Sequence, residues 1–498
     1  MKKITSNIVF VFIIAVLAGS SLLRAQETPP GSPKVILLSL DDALRIASGE
    51  SETVWVAEAG VMRSLGNEKI SRSGLFPQLS GTASYTRTLR SQFSDINFGG
   101  DTGGADALPF GRTNQYSLGL SLSQLVFDGG QTAARLRASR ARRRSAEIDV
   151  DAARAETLLD VTSSYFDALL ADRLVEISEA SLAQQEEILR QTDVAQRVGD
   201  KSEFELLQAR VRRDNQIPVV LQNRTQRQES YFRLKQLLNV PLDDEVRLTT
   251  GIADLPPRFA QPADAALEQR APVRQAEQNV QANRDLLTGA LGERWPSIAL
   301  SSRYNPVAYP LNGLPQYDDF REDWTVTLSL SIPILTGGRL AGDELVARGN
   351  LSEAKARLHQ TREAAELDVR VSRNSLADAE ATLKSNQSTV EQARRAYDIA
   401  QLRFREGLSS QIELQDIRLQ LDQAESNQAR ALRNVQVARA RLALLRDLPL
   451  AGSSVAAAQA VGAAAQAPAT SPAQTSQSSQ PTTGGTTIPG ISVPGSPP

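Results

Sequence analysis

The chain of 498 residues holds one histidine, His359, and no cysteine. Disulfides, thiolate metal sites, a cysteine nucleophile and a lipid-bearing N-terminal cysteine are therefore excluded. His359 lies among charged residues in a helical pattern and reads as a solvated side chain. No grouping of carboxylates, nucleophile or ligand types suggests an enzyme, a metal site or a bound cofactor. The acidic spacing that stands out is Glu413 and Asp416, one helical turn apart just after Gly407, with Glu205 similarly placed after Gly199. Residues three apart on a helix are neighbours, and the ordinary reading is a pair of solvated charges balanced by Arg405 and Arg418. The basic counterpart is Arg135, Arg137, Arg140, Arg142, Arg143 and Arg144. It has no interleaved aromatics, and a net charge of −2 does not call for nucleic acid. It reads as a solvated helix start.

These groups sit in a chain written twice. LSLSQLVFDGG at Leu120 to Gly130 recurs as LSLSIPILTGG at Leu328 to Gly338, an offset of 208. The same offset relates RVGDKSEFELLQAR at Arg197 to Arg210 and REGLSSQIELQDIR at Arg405 to Arg418, making Glu205 and Glu413 equivalent. An unchanged offset over so long a stretch is what a continuous helix requires. Upstream, FPQLSGTASY at Phe76 and WPSIALSSRY at Trp295 pair at an offset of 219, so the first copy has the longer loop, containing Gly99-Gly100 and Gly103-Gly104. Each copy reads helix, strand, loop, strand, long helix, turn, helix. The expected organisation is a first repeat over 26–262 and a second over 263–451, with Pro241, Pro256 and Pro257 marking a junction between them. Before them, Lys2 and Lys3 followed by an apolar run from Ile8 to Leu17 predict a signal peptide over 1–25. After them, residues 452–498 are uncharged and rich in Ala, Gln, Ser, Thr, Pro and Gly, which predicts a disordered tail.

Val369, Leu376, Leu383, Val390, Tyr397 and Phe404 fall at strict sevens, the next helix repeats the form with Leu414, Leu421, Val435 and Leu442, and the second seam position is usually alanine. Such seams let helix backbones approach closely. Gly129 to Gly199 and Gly337 to Gly407 each span 70 residues, about 105 Å as helix. The other helices are about half that, so two stacked end to end would match one long helix. In the strands, Tyr116, Leu118, Leu120 and Leu122 alternate with Ser117, Gly119, Ser121 and Ser123. Trp324, Val326, Leu328 and Leu330 likewise alternate with Thr325, Thr327, Ser329 and Ser331. Alternation fits a soluble sandwich or a membrane barrel with lipid outside and a wet lumen inside. Four strands cannot close a barrel alone, so closure would require strands shared between subunits.

These residues together resemble the outer-membrane factors of Gram-negative export systems, the TolC-like efflux proteins. The resemblance covers about Leu40 to Arg446, and its most specific mark is the strand-to-helix signature ending in Gly-Gly, with the usual proline in SIPILTGG and Leu125 in place of Pro333 in the first copy. It implies a mainly α fold with a small β part: a homotrimer sharing a twelve-stranded barrel in outer-membrane lipid, continued by a periplasmic α-barrel. It implies a passive exit duct of a tripartite pump, with an inner-membrane transporter and a periplasmic adaptor as partners. Tyr116, Leu118, Leu120, Leu122, Trp324, Val326, Leu328 and Leu330 would face lipid. Val198-Gly199-Asp200 and Glu406-Gly407-Leu408 would be the tips where the adaptor docks. Glu205, Glu413 and Asp416 would become carboxylate rings at the entrance. A periplasmic coiled-coil scaffold or adaptor fits the heptads equally well but leaves the paired Gly-Gly strand ends unexplained.

Overall fold

A computed structural model describes residues 35–90, 113–254, 259, 267–310 and 314–450. The expected signal peptide, the glycine-rich part of the first-copy loop, Pro256-Pro257 and the tail lie outside the described residues. In chain order the elements are β1 (Val35–Leu38), α1 (Leu40–Glu50), α2 (Glu52–Ser73), β2 (Gln78–Arg87), β3 (Asn114–Phe127), α3 (Gln131–Arg197), α4 (Glu203–Leu237) and β4 (Glu245–Leu248). They continue with α5 (Ala271–Gly292), β5 (Ser297–Tyr304), β6 (Val307–Ala308), β7 (Phe320–Arg321), β8 (Trp324–Ser331), α6 (Arg339–Arg405) and α7 (Gln411–Leu444).

The two long helices, α3 and α6, have 67 residues each. Each begins after a Gly-Gly pair in left-handed backbone, with φ of +66° and +86° at Gly129 and Gly130 and +58° and +87° at Gly337 and Gly338. A side chain at Gly129 would also collide with the α5 backbone, since a Cβ there would overlap the Gly292 carbonyl oxygen. Glycine is thus required twice over. The helices pack as the heptads predict: Val390, Tyr397, Leu414, Leu421, Ala424 and Val435 are buried, and Ile188 of α3 joins Tyr397, Ala400, Leu414 and Leu421 in one cluster. α3 contacts α2 and α5 over its first half and α4 and α7 over its second, while α6 contacts α5 and α7.

Two local features depart from expectation. The helix with which each copy is expected to begin is, in the first copy, broken at Ser51, whose backbone is extended and whose hydroxyl lies 3.3 Å from that of buried Thr157. The junction between the copies contains β4, paired in parallel with β1 from Val35↔Glu245 to Leu38↔Leu248. This small sheet roofs the main core cluster of Leu38, Leu44, Val161, Phe166, Leu234 and Val246. Fully buried Tyr165 ties the two together: its hydroxyl donates to the Leu38 carbonyl at 3.0 Å and accepts from the Thr250 amide at 3.1 Å.

The larger sheet has its four long strands in the order β2-β3-β5-β8, with β6 and β7 extending it beyond β5 and β8. All pairs are antiparallel, and β2 and β8 are its edges.

Candidate channel elements: sheet, tips and entrance helices

The sheet register collects the strand residues onto two chemically distinct faces. Directly opposed residues on antiparallel strands share a face. Leu79, Gly81, Ala83 and Tyr85 oppose Leu122, Leu120, Leu118 and Tyr116. Leu120 opposes Tyr304, and Tyr304, Ser302, Leu300 and Ile298 oppose Trp324, Val326, Leu328 and Leu330. All eight expected strand residues therefore fall on one apolar face. At the end far from the helices this face carries aromatic pairs, Tyr85–Tyr116 with centroids 4.7 Å apart and Tyr304–Trp324 at 6.4 Å edge-on. The opposite face is a hydroxyl surface in which Ser80 meets Ser121 and Ser84 meets Ser117, each at 2.7 Å. The apolar side chains are open: Trp324 is 73% and Leu328 70% exposed in the single chain.

At the opposite end the long helices stop in two tips of the same construction. Gly199 and Gly407 have φ of +86° and +72°. The Asp200 amide donates to the Ala195 carbonyl and the Leu408 amide to the Arg403 carbonyl, both at 2.8 Å, while the glycine amides donate one turn back. These are Schellman closures, in which a left-handed glycine lets the chain reverse onto its own last turn. Each following helix begins with a serine cap: Ser202 Oγ accepts from the Glu205 amide and Ser410 Oγ from the Glu413 amide. Val198, Phe204 and Leu408 are strongly exposed around these turns.

The three acidic positions are treated differently. Glu205 closes a capping box, accepting from the Ser202 amide at 3.0 Å and from Lys201 Nζ at 2.9 Å. The Ser202 amide and then Lys201 hold its carboxyl below the usual range. Glu413 and Asp416 are exposed, with no cation in ion-pair range among the described residues. Arg418, expected to balance them, turns instead to Asp422, at 2.9 Å.

The arginine cluster is mostly paired between helices. Arg137 meets Asp285 of α5 at 3.1 Å, and Arg140 and Arg143 converge on Glu68 of α2 at 3.2 and 2.8 Å. Sequence reading missed a buried centre at the α5 start. Arg270, fully buried, donates to the Leu445, Ala365 and Leu448 carbonyls at 3.1, 3.2 and 3.3 Å and pairs with Asp368 at 2.8 Å, to which Arg441 adds a second contact at 3.2 Å. The centre holds the start of α5 against the end of α7 beside the middle of α6, which is the end-to-end stacking of short helices expected from their lengths. Its signal in sequence is a lone arginine before Ala271-Pro272, which does not announce partners 95 to 178 residues away.

Comparison with known proteins places this arrangement. The chain is 26% identical over 403 residues to the pyoverdine export outer membrane protein OpmQ of Pseudomonas putida, covering 78% of this chain and 82% of that protein. It is 25% identical over 402 residues to Nodulation protein T of Rhizobium leguminosarum bv. viciae, covering 80% of each. Among solved structures it is similar to the Campylobacter jejuni CmeC outer membrane channel, with a TM-score of 0.67 at 17% identity over 84% of this chain and 88% of that one. It is also similar to the open state of the Neisseria gonorrhoeae MtrE outer membrane channel, with a TM-score of 0.68 at 18% identity over 82% of this chain and 89% of that one. The sequence profile of the outer membrane efflux proteins matches twice, over residues 44–240 and 263–446, most of the chain. With helix, sheet and duplicated glycine turns all in agreement, the chain belongs to the outer membrane efflux protein family.

Proposed function

We propose that this protein is the passive outer-membrane exit duct of a tripartite export system, assembled as a homotrimer that shares one twelve-stranded barrel. The observation that carries the reading is the open sheet: four strands with one continuous apolar face, one hydroxyl face and two unpaired edges. Backbone edges inside a bilayer cost several kcal/mol per unsatisfied group, and an edge left open invites pairing. Pairing β2 of one subunit with β8 of the next closes the ring, with apolar side chains toward lipid and hydroxyls toward water.

The helices support the same closure. α3, flanked on both sides within the chain, buries 22 residues, whereas α6, of equal length, buries eight and leaves Leu345, Val346, Leu367, Val371, Ile399 and Leu402 exposed. A Cβ at Gly337 would meet nothing within 4 Å, although the equivalent Gly129 is pressed against α5. In a ring, α6 and Gly337 would meet the α2 and α4 side of the next subunit. Each half of the chain is tied by its tip to the mouth of the duct. The tips Val198-Gly199-Asp200 and Glu406-Gly407-Leu408 would receive a periplasmic adaptor that joins an inner-membrane transporter. Glu413 and Asp416, with no counter-charge in range among the described residues, would form the acidic rings of the entrance, with Glu205 contributing a carboxylate already matched by Lys201. The duct performs no catalysis; energy comes from the transporter.

Reconstitution tests this. Purified protein is expected to run as a heat-dissociable trimer and form ion channels in planar bilayers. Cysteines placed singly from Leu118 to Ser123 are expected to react with a membrane-impermeant reagent at alternate positions. Uniform labelling, or a soluble periplasmic monomer or dimer, overturns the duct.

A further inference from the structure

Near the periplasmic end, α7 is packed between α3 and α6 through a seam that changes character. Higher up it is apolar, with Val437 and Ala440 against the Tyr165 cluster. Lower down polar groups enter it. Gln415 donates to Gln185 of α3 at 3.2 Å, and Asp422 faces Ser181 of α3, itself almost fully buried. From α7 the Arg418 guanidinium reaches Asp422, Nε and Oδ1 lying 2.9 Å apart but out of line, so that neither atom completes a hydrogen bond. From α6 the Tyr397 ring lies 5.2 Å under the Arg418 guanidinium, its hydroxyl buried and without a hydrogen-bond partner. Glu425, one turn beyond Asp422, is neutralised by Arg394 of α6 at 2.7 Å. Both side chains of the Arg418–Asp422 pair are less than a fifth exposed.

We propose that the α3–α7 seam around Asp422 is a pH-sensitive latch on the periplasmic mouth, held packed in acid and loosened as the pH rises. The proposal deepens the duct reading by assigning a regulation to the helix that carries Glu413 and Asp416. A carboxylate lodged here has surrendered water for one misaligned guanidinium and one hydroxyl, a poor exchange for a charge. Burial accordingly pushes the Asp422 carboxyl up, more strongly than Arg418 and Ser181 pull it down. The packed seam therefore binds the proton more tightly than a separated, hydrated seam would. The advantage this gives to packing is fully present below the ordinary carboxylate range and is lost as pH rises through the raised value. The polar side chains of the seam make separation easy, since each can take water in place of its partner.

The test is hydrogen–deuterium exchange on the full-length protein at pH 5 and pH 7.5, expressed as protection relative to the unstructured rate. Amides from Leu414 to Glu425 are expected to be better protected at pH 5 than at pH 7.5. In Asp422→Asn, where the side chain is neutral throughout, that difference is expected to be lost. A pH difference that survives in Asp422→Asn, or weaker protection at pH 5 in the unmodified protein, overturns the latch. Conductance of Glu205→Gln/Glu413→Gln/Asp416→Asn channels, in which all three proposed ring positions are neutral, is expected to rise from pH 5 to pH 7.5 and to lose that rise when Asp422→Asn is added. If the protein forms no channels at all the duct reading falls, while the exchange measurement still decides the latch.

Discussion

Glu413 and Glu205 occupy equivalent places in the two copies, yet only one is chemically spent. Glu205 is held by the Ser202 amide and Lys201, whereas Glu413 and its neighbour Asp416 are exposed with no cation in ion-pair range among the described residues. A narrow mouth with low-dielectric walls concentrates the field of uncompensated charge, so in the proposed duct a cation preference at the entrance would come from the second copy. Glu413→Ala with Asp416→Ala is expected to lower cation over anion permeability and block by multivalent cations in planar bilayers. Glu205→Ala should change both less, because it removes a matched pair. Equal effects from the two copies would contradict this assignment. The tip glycines belong to the same scale. Both sit in left-handed backbone with open space around the position of a Cβ, so strain alone opposes a side chain. Gly199→Ala and Gly407→Ala should each cost about 1 kcal/mol, read as a small drop in unfolding temperature with the trimer preserved. A bulkier residue adds little further strain in open space. Loss of export with intact trimers would then point to the tip as a docking surface.

At the scale of elements, sequence reading succeeds where a period or a turn chemistry survives. The heptads from Val369 to Phe404, the Gly-Gly helix starts and the turns at Gly199 and Gly407 all lie where their spacing places them. It fails where structure depends on distant partners. The four-residue strands β1 and β4 have no length in which to show alternation, and they pair across the whole first copy. The break at Ser51 is set by contact with Thr157 rather than by a proline. Arg270 shows the same limit. The repeat offsets place Ser51 in the position of Arg270 and Asp160 in that of Asp368. The first copy thus keeps the acid without this arginine, and burial raises the Asp160 carboxyl. Removing Arg270 leaves Asp368 with Arg441 alone and strips three buried carbonyls of their donor, and breaking a buried pair costs about 3–5 kcal/mol. Arg270→Ala is therefore expected to destabilise the helical body by about that amount, monitored by loss of helical circular dichroism on heating. Ser51→Ala, which removes one hydroxyl contact, should cost about 1 kcal/mol. Similar values for the two would show that the arginine centre does not fasten the α5–α7 joint.

For the whole molecule, the decisive feature is that a single chain is unfinished at both ends of its height. Its sheet has two open edges, and α6 has one flank covered and one bare. Both deficiencies would be met by a neighbour placed on the same side, which is why one rotation could close sheet and helices together. Under the proposed closure the side carrying Leu120, Leu300 and Leu328 would meet hydrocarbon, and the side carrying Ser121, Ser301 and Ser329 would meet water. Charge insertion separates these environments sharply, since an arginine facing the bilayer midplane costs about 2–4 kcal/mol and one facing the lumen does not. In a trimer the cost is incurred three times over. Leu328→Arg is therefore expected to abolish trimers in the outer-membrane fraction. Ser329→Arg, the adjacent residue on the opposite face of β8, should leave assembly intact and shift channel selectivity toward anions. Equal assembly of the two variants would deny the sheet a lipid side, and the reverse outcome would turn the barrel inside out.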